Sequence, residues 1–174
     1  MAEPFLELHP QDAGRLGLRP ATLAQVESPL GRAVLRVLVT DRVAPGQPFA
    51  PMHWTAETAP TGRVDALVPA LTDPVSGQPA LKSAQVAIRP FAAAWYGFAV
   101  SAGPITPRAD YWARATLPKG QQVELAGGAL PEDWIQEARA LFGLTGDPLV
   151  MQDRRRGLVR LAFVRDGRLQ AALF

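Results

Sequence analysis

Residue types that do chemistry are thinly spread along this chain, and one loop holds a notable share of them. The segment "TDPVSGQPALKSAQVAI", Thr72 to Ile88, is punctuated by Pro74, Gly77 and Pro79 and delivers Lys82 to the foot of an expected strand. Of 18 basic residues, Lys82 and Lys119 are the lysines and the rest are arginines. Cysteine is absent, which excludes disulfides, a thiol nucleophile and any cysteine-ligated zinc or iron–sulfur site within the chain. The two histidines, His9 and His53, lie far apart, and neither falls at a metal-ligand spacing. No Gly-x-Ser-x-Gly, P-loop or Gly-x-Gly-x-x-Gly motif occurs. Read alone, these residues define no active site.

The elements that must position the loop come from an ordinary globular composition. The chain has 174 residues, 48% hydrophobic and 20% charged, enough for one domain or two small ones with a real core. No apolar window approaches the roughly 18 residues of a membrane span. No charged-then-apolar leader follows Met1, so the expected location is cytoplasmic. Net charge is +2, too small for a basic nucleic-acid-binding face. The one basic run, Arg154-Arg155-Arg156, lacks interleaved aromatics and reads as a solvated turn. Neither nucleic acid nor membrane is therefore expected as a partner.

Along the first half, "FLEL" reads as a short strand. "HPQDAGRLGL" reads as a helix, with Pro10 at its first position and Gly17 as a left-handed stop. "TLAQVES", a turn, and "AVLRVLVT" follow as strands, the last a β-branched and aliphatic run suited to burial. The prolines of "APGQPFAPMHW" keep it out of a sheet interior. "VDALV" and "SAQVAIRP" read as further short strands. This rhythm predicts a compact β-barrel or sandwich over residues 1–92.

Residues 93–174 predict a small α+β segment. "WYGFAVS" and "YWARATL" read as strands. "PEDWIQEARALFG" reads as a helix with Pro131 at its start, Gly143 at its end, and Trp134, Ile135, Ala138, Leu141 and Phe142 on its core face. Two apolar runs around Asp166-Gly167 predict a C-terminal hairpin. The chain stops on Phe174 within an apolar run, so it is expected to be a fragment of something longer.

Four pieces in order carry a resemblance: "LHPQDAGRLGL"; "VES" with the turn glycine Gly31; "APGQPFAPMHW"; and "DALVPALTDPVSGQPALKSAQVAI". Together they resemble the molybdopterin-dinucleotide-binding region at the C-terminal end of molybdenum oxidoreductases, the dimethylsulfoxide reductase superfamily. "PMHW" followed by "TDPVSGQPALK", with "RRRGLVRLAFVRDGRLQAALF" later, is most similar to the assimilatory nitrate reductases. The resemblance implies a mainly β fold: a double-psi β-barrel, lacking its first strand, followed by the α+β segment. It also implies a fragment that helps bind and cap bis-(molybdopterin guanine dinucleotide) with molybdenum. The main grip would come from upstream domains of the same enzyme, with an electron-donor protein as a further partner. No catalytic group and no metal of its own are implied for this piece. The alternative is a non-catalytic interaction module that docks an electron donor through the C-terminal hairpin and Arg154–Arg156.

On that resemblance the cofactor-binding candidates are Lys82, Asp65, Ser76, Gln78, His53 and Trp54. A turn-rich loop can offer backbone N–H groups, with Ser76 and Gln78 adding neutral hydrogen bonds and Lys82 a mobile point charge. The bland reading of Lys82 is an exposed residue at a strand start. His53-Trp54 lines the cofactor funnel or plugs the barrel end. Asp73 reads as an Asx-turn former and His9 as a helix-entry residue. Three departures stand out. The family's earlier strand with Gly-Arg and Trp-His motifs is absent. Asp65 replaces an asparagine, and an ionised carboxylate only accepts. Ala21 stands where a turn glycine is common.

Overall fold

The computed structural model describes residues 3–80 and 83–174. Backbone contacts divide the chain into two compact units, Met1–Ala92 and Ala93–Phe174. Each unit carries its own sheet, and the protein is mainly β.

In the first unit, strand β1 (Phe5–Leu8) runs into helix α1 (Pro10–Arg15), followed by strands β2 (Leu23–Ser28) and β3 (Gly31–Val39). His9 is the N-cap of α1, its Nδ1 accepting the Gln11 N–H at 3.2 Å. Gly17, at φ 66°, turns the chain out of the helix. β1 lies parallel to β3, and β2 pairs antiparallel with β3 across the two-residue turn Pro29-Leu30. A last strand, β4 (Ala87–Pro90), adds to β2 and completes the order β1-β3-β2-β4. Alternate residues point one way, so Leu6, Leu8, Val26, Leu35 and Val37 are buried together with Ala13 of α1.

Two expectations change here. "VDALV" is a 3-10 turn over Val64–Leu67 rather than a strand. In a strand, Val64 and Leu67 would face opposite sides; at three residues per turn both reach the core cluster. Of "SAQVAIRP", only Ala87–Pro90 forms a strand. The turn also explains Gly31. A Cβ there would lie 2.7 Å from the Ala66 carbonyl oxygen, so the turn packs against β3 only because that position has no side chain.

The second unit is a six-stranded antiparallel sheet with one helix. Its strands are β5 (Trp95–Ser101), β6 (Tyr111–Leu117), β7 (Gly120–Gly127), β8 (Leu149–Asp153), β9 (Leu158–Arg165) and β10 (Arg168–Leu173), in the order β6-β7-β5-β10-β9-β8. Helix α2 (Trp134–Phe142) begins at Asp133, not Pro131. The Asp133 carboxylate accepts the Ile135 and Gln136 N–H groups at 2.8 and 3.2 Å, and that cap fixes the start. Ala138, Leu141 and Phe142 are buried in the core, with Trp134 and Ile135 packed against it. Gly143 closes the helix at φ 64°. The hairpin at Asp166-Gly167 forms, both residues at positive φ. β7 and β8 carry little strand signal in the sequence, because "GQQVELAG" opens on polar residues and "LVMQD" is only five residues long. Arg154–Arg156 form the turn between β8 and β9, where the Asp153 carboxylate accepts the N–H groups of Arg155 and Arg156.

Two substitutions test these backbone constraints. Ala21 is exposed at φ 64°, a conformation that costs an L-residue about 1 kcal/mol. Ala21→Gly is expected to raise stability by about 0.5 kcal/mol after glycine's larger unfolded-state entropy is counted. A lower denaturation midpoint would refute this. Gly31→Ala is expected to destabilise by about 2 kcal/mol through the clash with Ala66.

Candidate functional site

The first unit contains an open cleft of about 1330 Å³. Its floor is the buried side of the sheet: Leu6 and Leu8 from β1, Val26 from β2, Leu35 from β3 and Ile88 from β4. One wall is the loop from Val43 to His53, and another is Ser83–Val86. The rim carries the polar groups, among them Arg15, Arg42, Gln47, His53, Ser83 and Gln85. An apolar bed with a few polar groups at its edge is the usual composition of a ligand site.

The loop wall is held from beneath. Asp12, in α1, is 7% exposed. Its Oδ2 accepts the Gly46 N–H at 2.6 Å, and its Oδ1 accepts from the Arg15 guanidinium at 2.8 Å. Gly46 sits at φ 75°, which aims its N–H inward at the tight turn. Three residues on, Phe49 and Glu7 exchange two backbone hydrogen bonds, at 2.8 and 3.1 Å. The Glu7 carboxylate also holds Arg42 at 2.6 Å. Both arginine heads remain largely exposed despite these ion pairs.

The candidates from the sequence separate in space. His53 is exposed and lines the cleft. Trp54 is half-buried and packs edge-to-face on Phe5, with ring centroids 6.0 Å apart. One member of the pair therefore lines the cavity while its neighbour packs against β1. Asp65 is exposed and absent from the lining; its carboxylate meets Arg63 at 2.9 Å. That hydrogen bond from Arg63 holds the carboxyl below its ordinary range. Ser76 and Gln78 share one exposed loop outside the lining. Lys82 lies outside the described residues.

The loop around Ser76 is closed by Asp73. Its Oδ1 accepts from the N–H of Val75 (3.0 Å), the N–H of Ser76 (2.7 Å) and the Ser76 hydroxyl (2.9 Å). The Asp73 N–H donates to the Gln78 carbonyl, and a bridge joins Thr72 to Pro79. Asp73 is thus the Asx-turn former expected of it. The Ser76 hydroxyl proton points to Asp73, while its oxygen accepts the Gln78 N–H at 3.3 Å. Among the described residues, no three His, Asp or Glu side chains cluster as metal ligands. Nor, among the described residues, is any helix long and apolar enough to cross a membrane.

Sequence reading passed over Asp12, Arg42 and Gln85. For Asp12 a signal existed: an acid inside the first turn of a six-residue helix, on the side that the apolar pattern assigns to the core. Nothing in the pattern pointed to Arg42 or Gln85, which join the rim through the path of the chain.

Residues 1–85 match the family described as "Molydopterin dinucleotide binding domain". The chain is 40% identical over 136 residues to a nitrate reductase of Klebsiella oxytoca, covering 78% of this chain and 16% of that protein. It is 31% identical over 88 residues to the assimilatory nitrate reductase catalytic subunit of Bacillus subtilis, covering 51% of this chain and 12% of the relative. A nitrate reductase of Synechocystis sp. is 45% identical over 60 residues, 34% of this chain and 8% of its own. The chain therefore spans less than a fifth of the length of each of these relatives.

Two measurements test the geometry. The hydrogen bonds from Ser76 and Val75 hold the Asp73 carboxyl below its usual value of 3.8. A depressed folded-state value means that the loop's stabilisation is complete above about pH 3.8 and fades as pH falls through the lower folded value. The amide shifts of Val75 and Ser76 should therefore titrate below 3.8; a midpoint at or above it contradicts the turn. Asp12→Ala should lower stability by about 2 kcal/mol and free the Gly46 amide to exchange, since a charge-assisted bond in a buried site is removed.

Proposed function

We propose, from the premise that residues 1–85 belong to the molybdopterin dinucleotide binding domain family, that the first unit helps bind and cap the cofactor of a larger nitrate reductase. The observation that carries this reading is the match over that unit, supported by an open cleft within it, one wall of which is anchored to α1 and β1. The cofactor in this reading is bis-(molybdopterin guanine dinucleotide) with molybdenum, and it would supply the two-electron redox chemistry of nitrate reduction.

The donor set suits such a group. A pterin edge and a nucleotide present many acceptors, and the rim offers amide, imidazole and guanidinium donors. Arg42 and Arg15 are already paired to Glu7 and Asp12, so each keeps a positive head in place without a full uncompensated charge. His53 and Gln47 stand on the anchored loop wall, where little ordering entropy remains to be lost on binding. Lys82 would add a point charge next to the Asp73-closed loop. Ser76 and Gln78 would offer the loop's polar edge. Asp65, committed to Arg63, would accept rather than donate.

The piece contributes binding and no catalytic group. Upstream domains of the same polypeptide would hold most of the cofactor, the double-psi connectivity would be completed there, and an electron-donor protein would reduce the metal. A cytoplasmic, assimilatory setting fits the relative from Bacillus subtilis.

The test is made in the complete enzyme. Lys82→Ala and His53→Ala should each lower molybdenum and nucleotide content per polypeptide several-fold, with Lys119→Ala as the control that does not. Full cofactor content together with normal turnover in both variants would remove these residues from the site.

A further inference from the structure

The second unit has an edge that its own sheet leaves open. β8 is the terminal strand of the order β6-β7-β5-β10-β9-β8 and pairs through one side with β9. Its residues Leu149, Val150 and Met151 are 68, 50 and 48% exposed. Leu149 and Met151 lie on the sheet face opposite α2, Val150 on the α2 side, so the strand exposes apolar side chains in both directions. Edge strands that must stay single normally carry a lysine, an inward charge, a proline or a bulge. Pro148 and Asp153 bracket β8, but Leu149–Gln152 has none of these.

We propose that β8 pairs with β8 of a second copy of this chain, antiparallel about a two-fold axis through Met151, joining two sheets edge to edge. The five-residue strand pairs along its whole length in one self-complementary register, with Leu149 opposite the partner's Asp153. That register has an electrostatic consequence. Two residues before the strand start, Asp147 comes beside the end of the partner's β8, where the turn carrying Arg154–Arg156 begins, and the symmetry makes the approach twice. Asp147 has a side chain 97% exposed and touches Arg139 at 2.6 Å. Arg155 is exposed in the β8–β9 turn, and among the described residues no carboxylate lies within ion-pair distance of its guanidinium. The pairing thus satisfies both open backbone edges and brings opposite charges together at each end. It also sets Met151 against its own copy, with Leu149 on the same face and the Arg160 side chain of β9 beside Met151. The contact is small for an interface, so a weak, concentration-dependent dimer is expected. The inference stands on the second unit and is independent of the cofactor reading.

The experiment is sedimentation velocity of the full chain across a concentration series, with circular dichroism and thermal unfolding as the check on folding. Wild type should shift from monomer to dimer with rising concentration. Met151→Lys places two ammonium groups together at the axis and should abolish the shift without loss of fold, because the side chain is half exposed. Asp147→Arg and Arg155→Asp should each weaken the dimer about tenfold, since two exposed ion pairs are lost and replaced by repulsion. The double variant should return to within about twofold of wild type, a rescue that loss of the Asp147–Arg139 contact cannot mimic. A chain that stays monomeric up to about 1 mM, or a dimer indifferent to Met151→Lys, would overturn the proposal.

Discussion

The buried carboxylate of Asp12 is the tie on which the shape of the first unit depends. It stands on a six-residue helix and binds, through separate oxygens, an arginine of that helix and the backbone of a turn 34 positions later. A loop that leaves β3 and wanders across prolines has few hydrogen bonds of its own to fix it. Asp12 and the Glu7–Phe49 bridge supply two anchors, one on either side of the proline at 48. Between them the loop is held away from the sheet, and the space left under it is the cleft. The charge on Asp12 is tolerated in a site that is 7% exposed because an N–H and a guanidinium meet its two oxygens.

The same economy recurs at the loop of Thr72 to Pro79, with the opposite degree of exposure. There the carboxylate of Asp73 is in solvent and gathers three donors from Val75 and Ser76. Water competes with each of those bonds, so the turn is shaped by local geometry more than by burial. One aspartate fixes a distant contact and the other a local one. The first defines the cavity wall, the second presents a preformed polar edge.

The second unit is organised by a different constraint. Its helix packs on one face of a six-stranded sheet, and the core is made by alternate residues of β5, β7, β9 and β10 meeting Ala138, Leu141 and Phe142. Strand β8 lies beyond the reach of that nine-residue helix, and Leu149–Gln152 remain exposed while residues of β9 and β10 are partly buried. A sheet wider than its cover must leave a strand with both faces in water.

By itself the sequence determined the local features whose causes are local. His9 before Pro10, Gly17 after the helix, Gly143 after α2, Asp166-Gly167 at a hairpin and Asp73 before Pro74 all act through their own backbone within a few residues. The mainly β character followed from the alternation of apolar residues, and the family from four ordered pieces of "LHPQDAGRLGL" through "PALKSAQVAI". Tertiary structure decided what depends on contacts between distant residues. "VDALV" became a turn because Val64 and Leu67 must both face the core, and Gly31 is needed because Ala66 approaches it across 35 positions. It also separated His53 from Trp54, turned Asp65 toward Arg63, and gathered Asp12, Arg42 and Gln85 around a cleft. No periodicity encodes these arrangements, since each depends on where the chain returns in space and which partner is already there.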